Sequence, residues 1–226
     1  MSLRAIVFDF DGVIADSEPL HFRGYRDVLA GEGVALSEPD YYAHYLGFDD
    51  VGAFEAIGQR HGAAWTGAQI RELVARKAVR LEELERDVSV LFPGAADAIR
   101  RAAAAMPIAI ASGALGDEIR RVLAREELLT CFTAIVAAED TAVSKPAPDP
   151  YLRALALLAP SCGDRLHASE CVAIEDSQWG LESARAAGLR TVAVTNTYGE
   201  RELAADLTIS SLQALDLDRL ARLCSE

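Results

Sequence analysis

The sequence predicts an α/β fold with three layers: a parallel sheet covered on both faces by helices, with an all-helical block inserted after the first strand. Two observations carry this prediction. Short, continuous apolar runs alternate with amphipathic stretches, a pattern typical of buried parallel strands joined by helices. The region from 16 to 87 breaks this rhythm, because it shows helical patterning and no convincing strand.

The predicted elements follow the chain in order. The predicted strands are 5–8, 107–111, 134–137, 171–174, 191–194 and 207–209. The predicted helices between them are 95–105, 117–125, 150–158 and 181–187. Within the insert, residues 71–86 are rich in strong helix formers. Leu91-Phe92-Pro93-Gly94 marks the return to the sheet, so we expect a core of residues 1–15 and 88–226 and an inserted domain of residues 16–87.

Composition excludes several classes of function. The chain has 226 residues, 51% of them hydrophobic, and a net charge of −13, which argues against binding nucleic acid or an anionic membrane surface. Its four cysteines form no C-x-x-C pair, so we expect free thiols rather than a zinc site. The sequence has no signal pattern and no apolar stretch long enough to span a bilayer, so we expect a cytoplasmic protein. We also expect a monomer or a weak homodimer.

The first predicted strand runs directly into two carboxylates, Asp9 and Asp11, which Gly12 follows. Alternate residues of an extended strand point the same way, so these side chains are expected to lie close together. Like charges at that distance are costly unless a cation or a shared proton relieves them. The pattern therefore favours a site for a metal ion and an anionic substrate, although a polar turn after a strand would also contain Asp and Gly.

Further polar residues follow other predicted strands, where ligands bind in parallel sheets. Ser112-Gly113 could hold a phosphate oxygen or simply cap a helix. Lys145 lies in a proline-rich loop and could neutralise phosphate or remain a surface lysine. Glu175-Asp176 offers oxygen ligands suited to Mg²⁺, and Asp176 or Ser177 could cap the next helix.

The order of these motifs resembles the haloacid dehalogenase superfamily, in the branch with a helical cap that includes phosphoglycolate phosphatase and β-phosphoglucomutase. The resemblance covers nearly the whole chain and implies a Rossmann-like core with a small all-helical cap domain after the first strand. The stretches that carry it are DFDGVIADSEPLH (9–21), FPGAADAI (92–99), IASG (110–113), SKPAPDPYLRAL (144–155) and IEDSQWGLESARAAG (174–188).

The resemblance implies two catalytic carboxylates. Asp9 would be the nucleophile that attacks phosphorus and forms an aspartyl-phosphate. Asp11 would protonate the leaving oxygen and then activate water as a base. Relatives that cleave carbon–halogen bonds lack an acid at this second position, so Asp11 favours phosphate chemistry.

The resemblance also implies how substrate and metal are held. Ser112, the Gly113 amide and Lys145 would hold the transferring phosphoryl oxygens. Mg²⁺ would be the cofactor, and the residues implied as its ligands are Asp9, the backbone carbonyl of Asp11, Glu175 and Asp176.

The cap is expected to select the substrate. Glu18, His21 and the turn containing Gly47 could face the site, although solvated linker residues are an equal alternative for the first two. Lys77 resembles a cap lysine of relatives, but we expect it on a solvated helix face. Asp49 and Asp50 stand where a sugar-phosphate mutase would have an arginine, so we expect them to repel a distal phosphate or carboxylate.

Three aromatic residues could line a pocket, although core packing is the ordinary expectation for such side chains. They are Trp65, Trp179 and Tyr198.

These observations predict a Mg²⁺-dependent phosphatase that hydrolyses a small sugar or polyol phosphate monoester. One alternative is a β-phosphoglucomutase-like phosphomutase. A second alternative, a phosphoaccepting signalling module, is disfavoured by the helical insert and by the late Glu175-Asp176 pair.

Overall fold

Two stretches of the chain, Met1–Asp16 and Val90–Glu226, form one unit, here called the core unit. The residues between them, Ser17–Ser89, form the helical unit. The computed structural model describes residues 2–46, 48–86, 88–163 and 165–225. The predicted boundary residue Asp87 lies outside the described residues, and the division into domains at residues 16 and 87 stays a prediction.

A parallel six-stranded sheet forms the centre of the core unit, in the order β3-β2-β1-β4-β5-β6. The strands are β1 (Ala5–Phe8), β2 (Ile108–Ala111), β3 (Ala134–Val136), β4 (Cys171–Glu175), β5 (Arg190–Val194) and β6 (Leu207–Ile209). Successive residues of β1, such as Ile6 and Val7, point to opposite faces of the sheet and are both fully buried, so both faces are covered. The predicted α/β, Rossmann-like core with a parallel sheet is therefore confirmed.

Among the residues that the structure describes, four α-helices of the core unit lie between its strands, and a fifth follows β6. They are α5 (Ala95–Ala105), α6 (Gly116–Arg125), α7 (Asp149–Leu158), α8 (Gln178–Ala186) and α9 (Leu217–Leu223). Helix α8 begins three residues before the prediction, because the Ser177 side chain accepts a hydrogen bond from the Gly180 amide and caps the first turn. Strand β4 extends one residue further than predicted, to Glu175, which the sheet register places beside Ala193.

The helical unit contains α1 (Glu18–Ala30), α2 (Glu38–His44), α3 (Asp50–His61) and α4 (Gly67–Glu85). Its core is built from aromatic and aliphatic side chains of these helices, including Tyr25, Phe54 and Leu73. Helix α4 starts four residues before the predicted helix, because Thr66 and Gln69 form a capping box there. The prediction of an all-helical insert after the first strand is confirmed. None of the helices in the described part of the chain is long and apolar enough to cross a membrane.

Candidate active site

The site lies at the carboxyl end of β1, between β2 and β4. The chain builds β2 and β3 on one side of β1 and then β4, β5 and β6 on the other, so the strand order reverses here. Ligands in open α/β sheets bind at such a reversal. The register pairs Phe8 with Ile110 and with Ile174, and the Asp9 amide donates to the Ile174 carbonyl at 2.9 Å. Asp9 is thereby fixed beside the ends of both neighbouring strands.

Three buried carboxylates meet at this point. Asp9, Glu175 and Asp176 each offer an oxygen, and these oxygens all lie within 4.8 Å of one another. Burial, followed by the charge of Glu175, raises the pKa of Asp9 well above its ordinary value, although Lys145 opposes the effect. The cluster thus concentrates negative charge where water is excluded, which a cation would relieve.

Lys145 lies between two of these carboxylates. Its ammonium nitrogen is 2.6 Å from Glu175 Oε1 and 2.9 Å from Asp9 Oδ1. Burial lowers the pKa of Lys145, but the two carboxylates outweigh burial, so the pKa lies above its ordinary value. Lys145 is therefore a fixed positive charge beside Asp9 and not a solvated surface lysine.

Glu175 is fully buried, and both of its carboxylate oxygens accept hydrogen bonds. The Tyr151 hydroxyl donates to Oε1 at 2.7 Å, the same oxygen that Lys145 contacts. The Ser177 hydroxyl and the Asp176 amide donate to Oε2, each at 3.3 Å. A Cβ on Gly180 would lie 2.0 Å from this carboxylate, so the space that Glu175 occupies exists only because residue 180 is glycine.

Asp176 packs against the turn that follows β1. Gly12 has a φ of +74°, and a Cβ there would lie 1.9 Å from Asp176 Oδ2. Burial raises the pKa of Asp176 to about 6, although a hydrogen bond from Thr197 lowers it. The neighbouring Asn196 side chain donates to the Gly12 carbonyl at 2.8 Å and fixes the same turn from the β5 side.

Ser112 and Gly113 follow β2 as predicted. Ser112 is buried, and its hydroxyl accepts a hydrogen bond from the Ala114 amide at 3.1 Å, so it also caps the turn. Gly113 is exposed, and no heavy atom lies within 4 Å of the position that a Cβ would take. The backbone here has room for an anion to approach closely.

The carboxylate oxygens of the site are suitable ligands for a hard divalent cation. Asp9 Oδ1 is buried, and its contact in the described part of the chain is the ion pair with Lys145 at 2.9 Å. Carboxylate oxygens are the ligands that Mg²⁺ prefers, and Asp9 and Asp176 present them side by side. Asp11 lies in the adjoining turn and is half-buried, and its predicted contribution of a backbone carbonyl stays a prediction.

Comparison with known proteins agrees with this geometry. A family model described as haloacid dehalogenase-like hydrolase matches residues 3–188. The chain belongs to this family. Protein CbbY of Rhodobacter capsulatus is 34% identical to it, over 95% of this chain and 96% of that protein. Hexitol phosphatase B of Escherichia coli is 30% identical, over 94% of each chain.

A solved structure shows the same architecture. A mutant CbbY from Rhodobacter sphaeroides in complex with xylulose-(1,5)bisphosphate is 26% identical and superimposes with a TM-score of 0.78. The match covers 95% of this chain and 96% of that one. The chain is thus a haloacid dehalogenase-like hydrolase over nearly its whole length.

Two of the predicted cap residues, Lys77 and His21, contact each other in the helical unit. Lys77 is only 1% exposed, so the prediction of a solvated helix face is wrong. Its ammonium nitrogen lies 2.6 Å from Asp50 Oδ1 and 2.9 Å from His21 Nδ1, above the ring of Tyr25. Because an ammonium group can only donate, a neutral His21 must accept at Nδ1 and carry its proton on Nε2.

The predicted repulsion by Asp49 and Asp50 needs correction. Asp50 forms the ion pair with Lys77 and also accepts a hydrogen bond from the Tyr25 hydroxyl at 2.6 Å. Asp49 accepts from the Gly52 amide at 2.7 Å and caps α3. The two carboxylates therefore do not act as an isolated acidic pair, because one is neutralised and the other holds a helix terminus.

The remaining predictions on the cap have mixed outcomes. Glu18 accepts a hydrogen bond from the Tyr41 hydroxyl, and Gly47 lies outside the described residues. Trp65 packs against the core of the helical unit, as expected. The expectation of core packing is wrong for Trp179, which is 67% exposed, and for Tyr198, which is 37% exposed.

Several residues of the site were missed by sequence reasoning. Tyr151 and Gly180 look like ordinary core and helix positions, and Asn196 and Thr197 lie in a loop after β5 without a motif of their own. The one available signal was position: the loop after β5 must reach the same sheet edge as the loops after β1 and β4.

Gly180→Ala tests the packing beneath Glu175. An exposed Gly→Ala change in a helix is usually stabilising, but here the methyl group overlaps the buried carboxylate, so we expect a loss of about 3 kcal/mol in unfolding free energy. Urea denaturation measures this loss. Gly67→Ala is the control, because the atom closest to its Cβ is the end of Arg71 at 3.6 Å, so its stability should change by less than about 0.5 kcal/mol. If Gly180→Ala were as stable as Gly67→Ala, the close packing of residue 180 against Glu175 would be contradicted.

Asp50→Asn tests the network of the helical unit. The change leaves the buried Lys77 ammonium without its ionic partner, and we expect a loss of about 2 kcal/mol in the stability of this unit. Asp49→Asn is the matched control, because asparagine caps a helix as well as aspartate does. Urea unfolding followed by Trp65 fluorescence in a Trp179→Phe background reports the helical unit. A control that loses as much as Asp50→Asn would disprove a special role for the ion pair.

Proposed function

We propose that this protein is a Mg²⁺-dependent phosphatase that hydrolyses a small sugar or polyol phosphate monoester through an aspartyl-phosphate on Asp9. The observation that supports this most directly is the buried Asp9 carboxylate between Lys145 and Asp176. A carboxylate beside a fixed ammonium group can attack an anionic phosphoryl group when a metal ion, held with the help of the second carboxylate, also compensates the negative charge.

Asp9 acts as the nucleophile in the proposed reaction. One carboxylate oxygen forms a bond to phosphorus as the bond from phosphorus to the ester oxygen breaks. Asp11 supplies the proton that this leaving oxygen takes up. Asp11 then removes a proton from water, whose oxygen attacks phosphorus, releases inorganic phosphate and restores the Asp9 carboxylate.

Lys145, Ser112 and the Gly113 amide hold the phosphoryl oxygens in this proposal. Glu175 binds the Lys145 ammonium group, and Tyr151 in turn holds Glu175. These contacts keep the positive charge beside Asp9. Uncatalysed phosphate-monoester hydrolysis is among the slowest reactions that enzymes accelerate, by up to ~10²¹-fold, and positioned charges supply much of such an acceleration.

Asp9, Asp176 and the Asp11 carbonyl would hold Mg²⁺, with Glu175 within reach. When bound, the ion neutralises phosphoryl charge that otherwise repels the attacking carboxylate. The carboxylate of Glu175 already accepts four hydrogen-bonding or ionic contacts, so its main contribution would be to position Lys145.

The proposed substrate is a monophosphate with a neutral leaving group. One relative is named for hexitol phosphates, which are of this class, whereas another relative is seen with a bisphosphate. A second phosphate would need a cation to hold it. In the helical unit, the ammonium group of the buried Lys77 is already paired with Asp50, so Lys77 does not offer an uncompensated charge for a second phosphate.

Asp9→Asn tests the reaction directly. The amide is a poor nucleophile and a weaker metal ligand, so we expect Mg²⁺-dependent hydrolysis of 4-nitrophenyl phosphate to fall by at least about a thousandfold, as for loss of a covalent nucleophile. Asp117→Asn, a change of the same kind at a fully exposed position of α6, is the control and should retain wild-type turnover. Comparable activity in Asp9→Asn and the wild type would rule out the proposed nucleophile.

A further inference from the structure

Large apolar side chains are exposed on three loops and on the first turn of α8, next to residues of the site. Each lies within three residues of a side chain described above: Ser112, Lys145, Asp176 or Thr197. These residues, here called the apolar collar, are Leu115 (61% exposed), Val143 (51%), Trp179 (67%) and Tyr198 (37%).

This distribution differs from ordinary surface scatter. Single exposed apolar residues are common and need no explanation. In the described part of the core unit, however, the large apolar side chains that are strongly exposed outside the collar, Leu152 and Leu157, both lie on α7. The collar residues instead follow β2, β3, β4 and β5, whose carboxyl ends form one edge of the sheet.

The residues at the floor of the site are buried, so a substrate must extend away from them. Asp9, Ser112 and Asp176 are each less than a tenth exposed, and Glu175 is fully buried. A phosphoryl group held by Lys145 and attacked by Asp9 would have its ester oxygen opposite the attacking carboxylate, because attack and departure are in line. The carbon skeleton beyond that oxygen must therefore extend away from the buried floor, toward the exposed loops.

From these observations we infer that the apolar collar, with Trp179 as its main contact, binds the carbon skeleton of the leaving group and determines how long a substrate the enzyme prefers. This inference rests on the proposed phosphatase function and adds the residues that select the substrate. A polyol or sugar presents C–H groups that pack against an aromatic face while its hydroxyl groups stay hydrated. A neutral leaving group suits such a surface, because none of the four collar side chains carries a charge.

A series of leaving groups of increasing length tests the inference. Steady-state kcat/KM is measured for ethylene glycol phosphate, glycerol 3-phosphate and a hexitol 6-phosphate, with wild type, Trp179→Ala, Trp179→Phe and Leu152→Ala. We expect Trp179→Ala to lower kcat/KM about tenfold for the hexitol ester and less than about twofold for the glycol ester. Trp179→Phe should restore most of the loss, and Leu152→Ala should leave the ratio of the two substrates unchanged.

The contrary outcomes are distinct. A loss in Trp179→Ala that is equal for short and long leaving groups, or no loss for either, would overturn the inference while the phosphatase function stands. Sedimentation that shows a wild-type dimer and a Trp179→Ala monomer, with no change in the substrate ratio, would identify the collar as an interface between copies. A wild-type protein that hydrolyses none of these esters would overturn the proposed function and this inference together.

Discussion

The mutual repulsion of three buried carboxylates is the constraint on which the rest of the site depends. Asp9, Glu175 and Asp176 are brought together by the register of β1 and β4, so their proximity is a consequence of the sheet itself. Lys145 compensates part of this charge through contacts of 2.6 and 2.9 Å. The remaining negative charge favours binding of a cation, and that cation in turn would allow an anionic phosphoryl group to approach Asp9.

Burial, with a smaller contribution from the charge of Glu175, raises the pKa of Asp176, and this shift affects stability. Its raised value of about 6 means that the folded, cation-free protein holds this proton more tightly than the unfolded chain does. The group therefore contributes stability at low pH, and that contribution is lost as the pH rises through about 6. A bound cation reverses the balance, because it favours the ionised carboxylate.

The fold and the central residues of the site could be predicted because their signals are local. Asp9, Lys145 and Asp176 each lie just after an apolar run or in a proline-rich loop, and parallel topology brings such positions to one edge. The space that Gly180 leaves for Glu175 could not be predicted, because it depends on how α8 packs against β4. Lys77 was misplaced for a similar reason: its burial depends on Asp50 and His21 from other helices.

Trapping the covalent intermediate tests the proposed chemistry most directly. In Asp11→Asn, nitrophenolate can still leave without protonation, but water lacks its base, so an aspartyl-phosphate should accumulate. The variant is mixed with Mg²⁺ and 4-nitrophenyl phosphate, quenched in acid and mapped by peptide mass spectrometry. We predict one phosphoryl group on the peptide that contains Asp9, and none when Asp9→Asn is added. Release of nitrophenolate with no phosphoryl group on Asp9, or with one on another residue, would contradict the role of Asp9 as the nucleophile.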